Sequence, residues 1–366
     1  MAKGVLAILG SGEMAPGMTK VHRELLARLD PVRAVNLDSA YGFQENVPQM
    51  SEKLEEYFSV SLHTTLTTLH LPNYERASEL ERTIFKRQVR EANYVFAGPG
   101  SPSYALAQWA PLDLRSDLLS VLDANGTLCI SSAAAVTLGA FTAPIYEIYK
   151  VGVVPYWLPG LNLLTEFGLN CVVIPHFNNN EGENYDTRFC YLGERRLRQL
   201  EHQLPEEVAT LGVDEHTAVI FDFTSDTISV RGRANGYWRE GDETTVLANG
   251  TATTIDELRR GTAPPRSNFD PVIPSKTLSD ADQLGRVVLD GGADALEALA
   301  HLVQLARTGA EGFIDPTSLI KGVLAARRSA RELAQYELAD QLRDVLVAAG
   351  VKVNDGPEAT SWTRSP

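Results

Sequence analysis

The chain has 366 residues, with 33 Lys and Arg against 47 Asp and Glu, a formal charge of −14. That length allows two or three domains, and 44% hydrophobic with 22% charged residues is a globular profile that excludes wholesale disorder. The acidic balance argues against broad phosphate-backbone binding, which needs clustered cations, but leaves room for a small cationic substrate or a local basic patch.

No apolar run approaches the roughly 18 residues of a membrane span. The start, Met1 to Gly10, runs straight into a strand-like stretch and lacks the pattern of a secretory signal. Three cysteines, Cys129, Cys171 and Cys190, are odd in number and far apart, so neither a disulfide framework nor a metal knuckle is expected. A reducing cytoplasm without membrane attachment is the expected location.

In chain order, Gly4 to Leu9 reads as a buried strand ending at Gly10-Ser11-Gly12. Val21, Leu25, Leu26 and Leu29 share one face of a helix over 18–29. Val35 and Leu37 suggest a second strand, 50–58 a helix, 64–71 a strand and 84–92 a helix. Tyr94 to Ala97 is a strand entering Gly98-Pro99-Gly100-Ser101-Pro102. Thr127 to Ser131 is another, followed at once by helix-prone Ala133-Ala134-Ala135. Repeated βα units imply a parallel sheet covered on both faces. Beyond 205, the runs 218–221, 227–230 and 245–247 read as antiparallel strands finishing that sheet, with Asn235-Gly236 as a turn. Residues 262–276 hold Pro264, Pro265, Pro271 and Pro274 in a polar stretch, a linker composition. Leu338, Leu342, Val345, Leu346 and Ala349 then form one apolar helical stripe, closed by Gly350 and followed by a short extended tail.

Ligands of open α/β sheets bind at the carboxyl ends of the strands. Three such ends carry candidate chemistry. Gly98 to Ser101 offers backbone N–H groups. Ser132 stands at a strand-to-helix corner, where a hydroxyl is exposed and the next N–H can face an oxyanion. Pro175-His176-Phe177-Asn178 ends a strand with a histidine. A serine needs a base and the base an orienting acid, so His176 and Glu215 are the candidates, with His216 ranked below His176. Taken singly, each has a plainer reading: Ser as a helix cap, His as a packed side chain, Asp214-Glu215 as a solvated turn. The remaining histidines show no metal spacing, and no metal or cofactor is expected. Gly10 and Gly12 form only part of a dinucleotide fingerprint, so a tight sheet-to-helix turn is the better reading.

At these loops the sequence resembles the cyanophycinase and aspartyl dipeptidase family of serine peptidases. The stretches that carry the resemblance are Ser132-Ala133-Ala134-Ala135, Pro175-His176-Phe177 and Gly212 to Ala218, with looser similarity at Ala40 to Phe43 and Ile228 to Gly232. The resemblance covers about residues 4–260. It implies an α/β, class I glutamine amidotransferase-like (flavodoxin-like) three-layer sandwich, with Ser132 as nucleophile, His176 as base and Glu215 as orienting acid. Gly100 and Ala133 would supply the oxyanion N–H groups. Ile130 and Ala134 stand where the family's elbow has glycines, and bulky Ile130 is expected to push the helix or change the turn. A glutamine amidotransferase role is disfavoured, because that family uses Cys at the elbow.

After the histidine, the loop of Asn178 and the following Arg188 have two readings, a turn with a solvated helix face or contacts to substrate, Arg188 holding a carboxylate. The C-terminal piece, with Ala330 to Asp344, Gly350 to Asp355 and Ser361-Trp362, resembles the C-terminal helical domain of cysteinyl-tRNA synthetases. Neither the synthetase's catalytic motifs nor its zinc ligands are present, so aminoacylation is not expected. With 11 acidic and 8 basic residues in 290–366, a tRNA contact is weakly supported on charge. The expected organisation is a serine peptidase-like domain over 1–261, a linker over 262–289 and a small helical domain over 290–366. The expected function is hydrolysis of a small peptide or isopeptide amide through an acyl-enzyme on Ser132. The alternative is a non-catalytic binding or scaffold protein, tRNA-associated through its C-terminal domain. A second copy of the chain is a further partner this reading allows.

Overall fold

Short runs of apolar residues buried on both sides open the chain's strands, and helices return it from one strand to the next. The computed structural model describes residues 4–182, 184–241 and 243–258, the isolated positions 324, 331, 336, 339, 340, 343 and 347, and the segments 351–355 and 360–364. In order, the first half holds β1 (Val5–Leu9), α1 (Pro16–Leu26), β2 (Ala34–Leu37), α2 (Val47–Leu62), β3 (Leu66–Leu69), α3 (Glu79–Glu91) and β4 (Tyr94–Ala97). Then come α4 (Pro102–Trp109), α5 (Leu114–Asp123), β5 (Thr127–Ser131), α6 (Ser132–Val136), β6 (Phe141–Thr142), β7 (Leu158–Pro159), β8 (Cys171–Ile174) and α7 (Gly193–Glu201). β9 (Ala209–Val213), β10 (Thr217–Asp222), β11 (Thr227–Gly232), β12 (Gly236–Glu240), β13 (Glu243–Leu247) and β14 (Ala252–Thr254) follow, and β15 (Val351–Asp355) and β16 (Thr360–Arg364) lie near the C-terminus.

The main sheet has eight strands in the order β14-β11-β10-β1-β5-β4-β2-β3. β1, β5, β4, β2 and β3 are mutually parallel, and β10, β11 and β14 extend the sheet antiparallel beyond β1. The fold is therefore mixed α/β around a parallel-rich sheet. Strand alternation sorts its side chains to two faces. Val5, Ala7, Leu9 and Cys129 pack with Met18, Val21 and Leu25 of α1 and with Leu54 and Phe58 of α2. Leu6, Ile8, Leu128 and Ile130 pack with Phe85 and Val89 of α3, Trp109 of α4 and Leu118 and Leu122 of α5. Helices thus cover both faces, which is why β1, β4 and β5 are buried along their whole length rather than on alternate residues.

Several features depart from the sequence reading. Thr245 to Leu247 does not finish the main sheet. It lies in β13 of a second, four-stranded sheet, β13-β12-β9-β8, in which β8 and β9 run parallel. The link is β12, which starts at Gly236 where a turn is expected, and whose Trp238 is buried against the core. Segments 351–355 and 360–364, expected as an extended tail, are β15 and β16, which pair antiparallel with Val353 opposite Trp362. Helices α4 and α5 are additions that the spacing does not pick out, and α1 ends at Leu26 rather than Leu29.

The chain divides into two units, Met1–Phe269 and Asp270–Pro366. The proline-rich linker and the apolar stripe at 338, 342, 345, 346 and 349 lie outside the described residues, while the isolated positions from 324 to 347 are helical.

Candidate active site

Three strand ends converge. β5 runs directly into α6, and Ser132 at the corner has φ +51°, a left-handed conformation that non-glycine residues adopt at a cost of about 1–3 kcal/mol. A position held there against strain is a candidate for function. Neither Ile130 nor Ala134 prevents the corner. Ile130 points from β5 into the core on the α3–α5 side, where Ala134 joins the same cluster. The helix is not pushed away: Ala134 N–H reaches the Gly98 carbonyl at 3.4 Å.

His176 follows β8 of the small sheet and also has positive φ, +48°. Two backbone bonds fix it across the two sheets: its N–H donates to Gly10 O at 3.3 Å and Phe177 N–H to Val213 O at 3.1 Å. Glu215 sits in the turn that leaves β9 of the small sheet for β10 of the main one. That turn comes close because Gly10 has no side chain; a Cβ there would lie 2.0 Å from Asp214 O. Gly12, at φ +69°, likewise leaves room for the His216 ring. The Gly-x-Gly pair is thus a close approach of two loops.

The three side chains form one line. Ser132 Oγ lies 2.8 Å from His176 Nε2, and His176 Nδ1 lies 2.8 Å from Glu215 Oε1. A carboxylate only accepts, so Nδ1 carries the proton and Nε2 is left to accept from the serine hydroxyl. The pair is half-buried. The bond from His176 holds the Glu215 carboxyl below the usual carboxylate range against the opposing effect of burial, with Asn179 assisting. Asn179 is fully buried and donates Nδ2–H to the same Oε1 at 3.0 Å. The sequence marks Asn179 only as part of an asparagine run directly after the histidine, read as a turn or as substrate contacts; its bond to the acid was missed.

Of the other predicted site residues, Gly100 and Ala133 flank the corner. Ala97 at the end of β4 pairs with Ile130 of β5, which sets the Gly98–Gly100 loop beside it. Gly100 has φ +148° and no room for a side chain, since a Cβ would meet Ala40 O at 1.9 Å. Ala133 lies in the first turn of α6, where N–H groups lack intrahelical partners. Asn178 takes a different place from the substrate contact expected: its Oδ1 accepts the Glu215 N–H at 2.8 Å. Arg188 does grip a carboxylate, but it is Asp186 of its own loop, through Nε and Nη2 at 2.9 Å each. Asp186 also accepts the Glu194 N–H at the start of α7, so the pair closes a turn and caps a helix. His216, the lower-ranked base, faces Gly12.

Around the histidine, Tyr191 lies with its ring 6.0 Å from the imidazole and stacks on Tyr149, while its hydroxyl donates to Glu181 at 2.7 Å. Phe189, Cys190 and Tyr191 are consecutive left-handed residues, and the first two donate their N–H groups to Phe177 O and His176 O. Among the described residues, no group of His, Cys, Asp and Glu is arranged to hold a metal, and no helix is long and apolar enough to cross a membrane.

No family model matches the chain. A crystal structure of a peptidase from an acI-B1 actinobacterium superposes with a TM-score of 0.54 at 21% identity, covering 69% of this chain and 97% of that one. The likeness is one of fold. Among curated proteins the chain matches cysteine–tRNA ligases in part. It is 37% identical to that of Sodalis glossinidius over 54 residues, 15% of this chain and 12% of the ligase. Against Beutenbergia cavernae it is 51% identical over 45 residues, 12% and 10% of the two chains. The Kocuria rhizophila match, 29% identical over 181 residues, takes 47% of this chain and 36% of the ligase. The chain therefore spans between about a tenth and about a third of these ligases' length, and the longest match is larger than residues 290–366.

Proposed function

We propose that the chain is a serine hydrolase of the cyanophycinase and aspartyl dipeptidase type, cleaving a small peptide or isopeptide amide through an acyl-enzyme on Ser132. Its first 261 residues are read as a class I glutamine amidotransferase-like domain, 262–289 as a linker and 290–366 as a helical appendage like that of cysteinyl-tRNA synthetases. The observation that carries the reading is the unbroken line from Ser132 Oγ through His176 to Glu215, each step 2.8 Å.

In this reading His176 Nε2 takes the hydroxyl proton as Oγ attacks the substrate carbonyl carbon. The carbonyl oxygen becomes an oxyanion facing the N–H groups of Ala133 and Gly100. The C–N bond then breaks, and His176 returns the proton to the departing amine. Water, deprotonated by His176, hydrolyses the ester and restores Ser132. Glu215 keeps the imidazole in the working tautomer and stabilises the imidazolium. The three cysteines are free and buried, which suits a cytoplasmic setting.

The test is labelling by a fluorophosphonate. The wild-type chain is expected to be labelled at Ser132 and Ser132→Ala not at all. Equal labelling of both, or none of either, removes the reading. The partial matches to cysteine–tRNA ligases favour a second reading, in which the C-terminal piece contacts tRNA and the chain serves as a binding protein.

A further inference from the structure

The Gly98–Gly100 loop, which carries one of the two N–H groups of the proposed mechanism, leans on a segment that the mechanism does not use. Gly100 lies so close to the Ala40 carbonyl that a Cβ would stand 1.9 Å from its oxygen. The next residue, Ser101, donates its N–H to that same oxygen at 3.0 Å. Where Ala40 goes, the loop follows. Ala40 belongs to the one-turn 3-10 helix Asp38–Tyr41, which leads out of β2. A single turn of this kind does not hold itself in place and needs anchors.

The anchor at its first residue is a buried carboxylate. Asp38 is fully buried, and both its oxygens are bonded to the segment that leaves β3. Oδ1 accepts the Leu71 N–H at 3.0 Å, and Oδ2 lies 2.5 Å from His70 Nδ1. Burial pushes the Asp38 carboxyl up from the usual carboxylate range, and the Leu71 N–H and His70 oppose that rise. Pro72 continues the same segment. Its carbonyl abuts Gly42, just past the turn, and accepts the Tyr104 hydroxyl of α4 at 2.7 Å. At the far end of the turn the Tyr41 hydroxyl accepts from Asn36 Nδ2 at 2.8 Å. His70 differs from the other anchors. Its side chain is 68% exposed, so it adds little by burial, and what it offers is the bond to Asp38. An exposed imidazole thus ends a chain of contacts that runs through Asp38 and Ala40 to Gly100.

We propose that Asp38 and His70 are a positioning pair for the Gly98–Gly100 loop, holding the Ala40 carbonyl, and with it the Gly100 N–H, in register with Ser132. The proposal deepens the hydrolase reading and rests on it for the effect on rate; the mechanical link from His70 to the loop does not. A displaced N–H meets a developing oxyanion poorly, so the pair acts on rate through the loop and leaves the Ser132–His176–Glu215 line alone.

Two measurements on the full chain test this: amide hydrogen exchange at Ser101, followed by NMR, and the rate of fluorophosphonate labelling against pH. His70→Ala, at an exposed position, is expected to exchange the Ser101 N–H at least about tenfold faster than wild type and to be labelled about tenfold more slowly. The Phe177 N–H, bonded to Val213 O on the small sheet, is expected to exchange as in wild type, and the acid limb of labelling to stay in place. His70→Asn, whose amide N–H can replace Nδ1–H, is expected to restore both rates. Asp38→Ala is expected to show the larger loss in each; should it fail to fold, the two His70 variants still decide. Unchanged Ser101 exchange or undiminished labelling in His70→Ala, an acid limb that moves, or a His70→Asn chain that behaves like His70→Ala overturns the proposal. A wild type that is not labelled removes the hydrolase reading, and Ser101 exchange then decides by itself whether the pair holds the loop.

Discussion

Glu215 Oε1 receives two donors, the His176 ring and the Asn179 amide, and its N–H is held by Asn178, so the acid is fixed by the same loop that carries the base. Loss of one donor leaves the carboxylate more basic, and a more basic carboxylate favours the imidazolium. The acid limb of activity belongs to the coupled pair. Asn179→Ala is therefore expected to slow fluorophosphonate labelling about tenfold at neutral pH and to move its acid limb to higher pH. It is also expected to cost about 1–3 kcal/mol of stability, from a buried hydrogen bond. A purely structural Asn179 would lower stability and leave the pH profile where it was. From the bare chain, Ser132, His176 and Glu215 could be picked out by their loops. The use of Asn178 and Arg188 could not, because an asparagine or arginine near a site bonds whatever the folded loop brings nearest, here Glu215 and Asp186.

At the scale of the element, α1 and its loop are tied to the sheet by His22. Its Nδ1 faces the Tyr94 hydroxyl at 2.8 Å, and its Nε2 faces the Glu13 carbonyl. Burial lowers the imidazole pKa from the usual 6.5 to about 4. The unfolded chain takes up a proton below 6.5 while the folded one resists it. Stability from this group is complete above pH 6.5 and drains as pH falls to about 4. The loss is about 3 kcal/mol at its fullest, from roughly 1.4 kcal/mol per pKa unit. In His22→Gln that part of the slope is expected to vanish, as read by chemical denaturation at pH 7, 5.5 and 4.5. The turn into α7 carries the same sign, at lower pH. The Arg188 guanidinium holds the Asp186 carboxyl well below the usual range, so its contribution is present at neutral pH and is lost only as pH falls through that depressed value.

Over the whole molecule, the proposed site depends on two sheets rather than one. Ser132 leaves the main sheet, His176 leaves the small one, and Glu215 lies on the turn between them. All three belong to the unit Met1–Phe269. A chain ending at residue 269 is expected to unfold cooperatively and to be labelled at Ser132 at a rate close to the full chain's. In a gel shift across a salt series, only the full chain is expected to retard tRNA under the binding-protein reading. Retardation by the 1–269 chain alone would remove that reading's assignment to the C-terminal piece.

By itself the sequence determined the βα alternation, the buried central strands and the three loops that hold the candidate site, because apolar runs, glycine turns and strand ends are local signals. It did not determine that 245–247 leaves the main sheet, nor that β12 begins at Gly236. Those outcomes turn on which strand edge is free to pair and on Trp238 finding the core. Only the tertiary structure decided that Ile130 leaves the Ser132 corner intact, since its bulk goes into the sheet face away from the turn. It alone set Glu13 beside Ser131, because two residues 118 positions apart meet only once β1 and β5 are side by side.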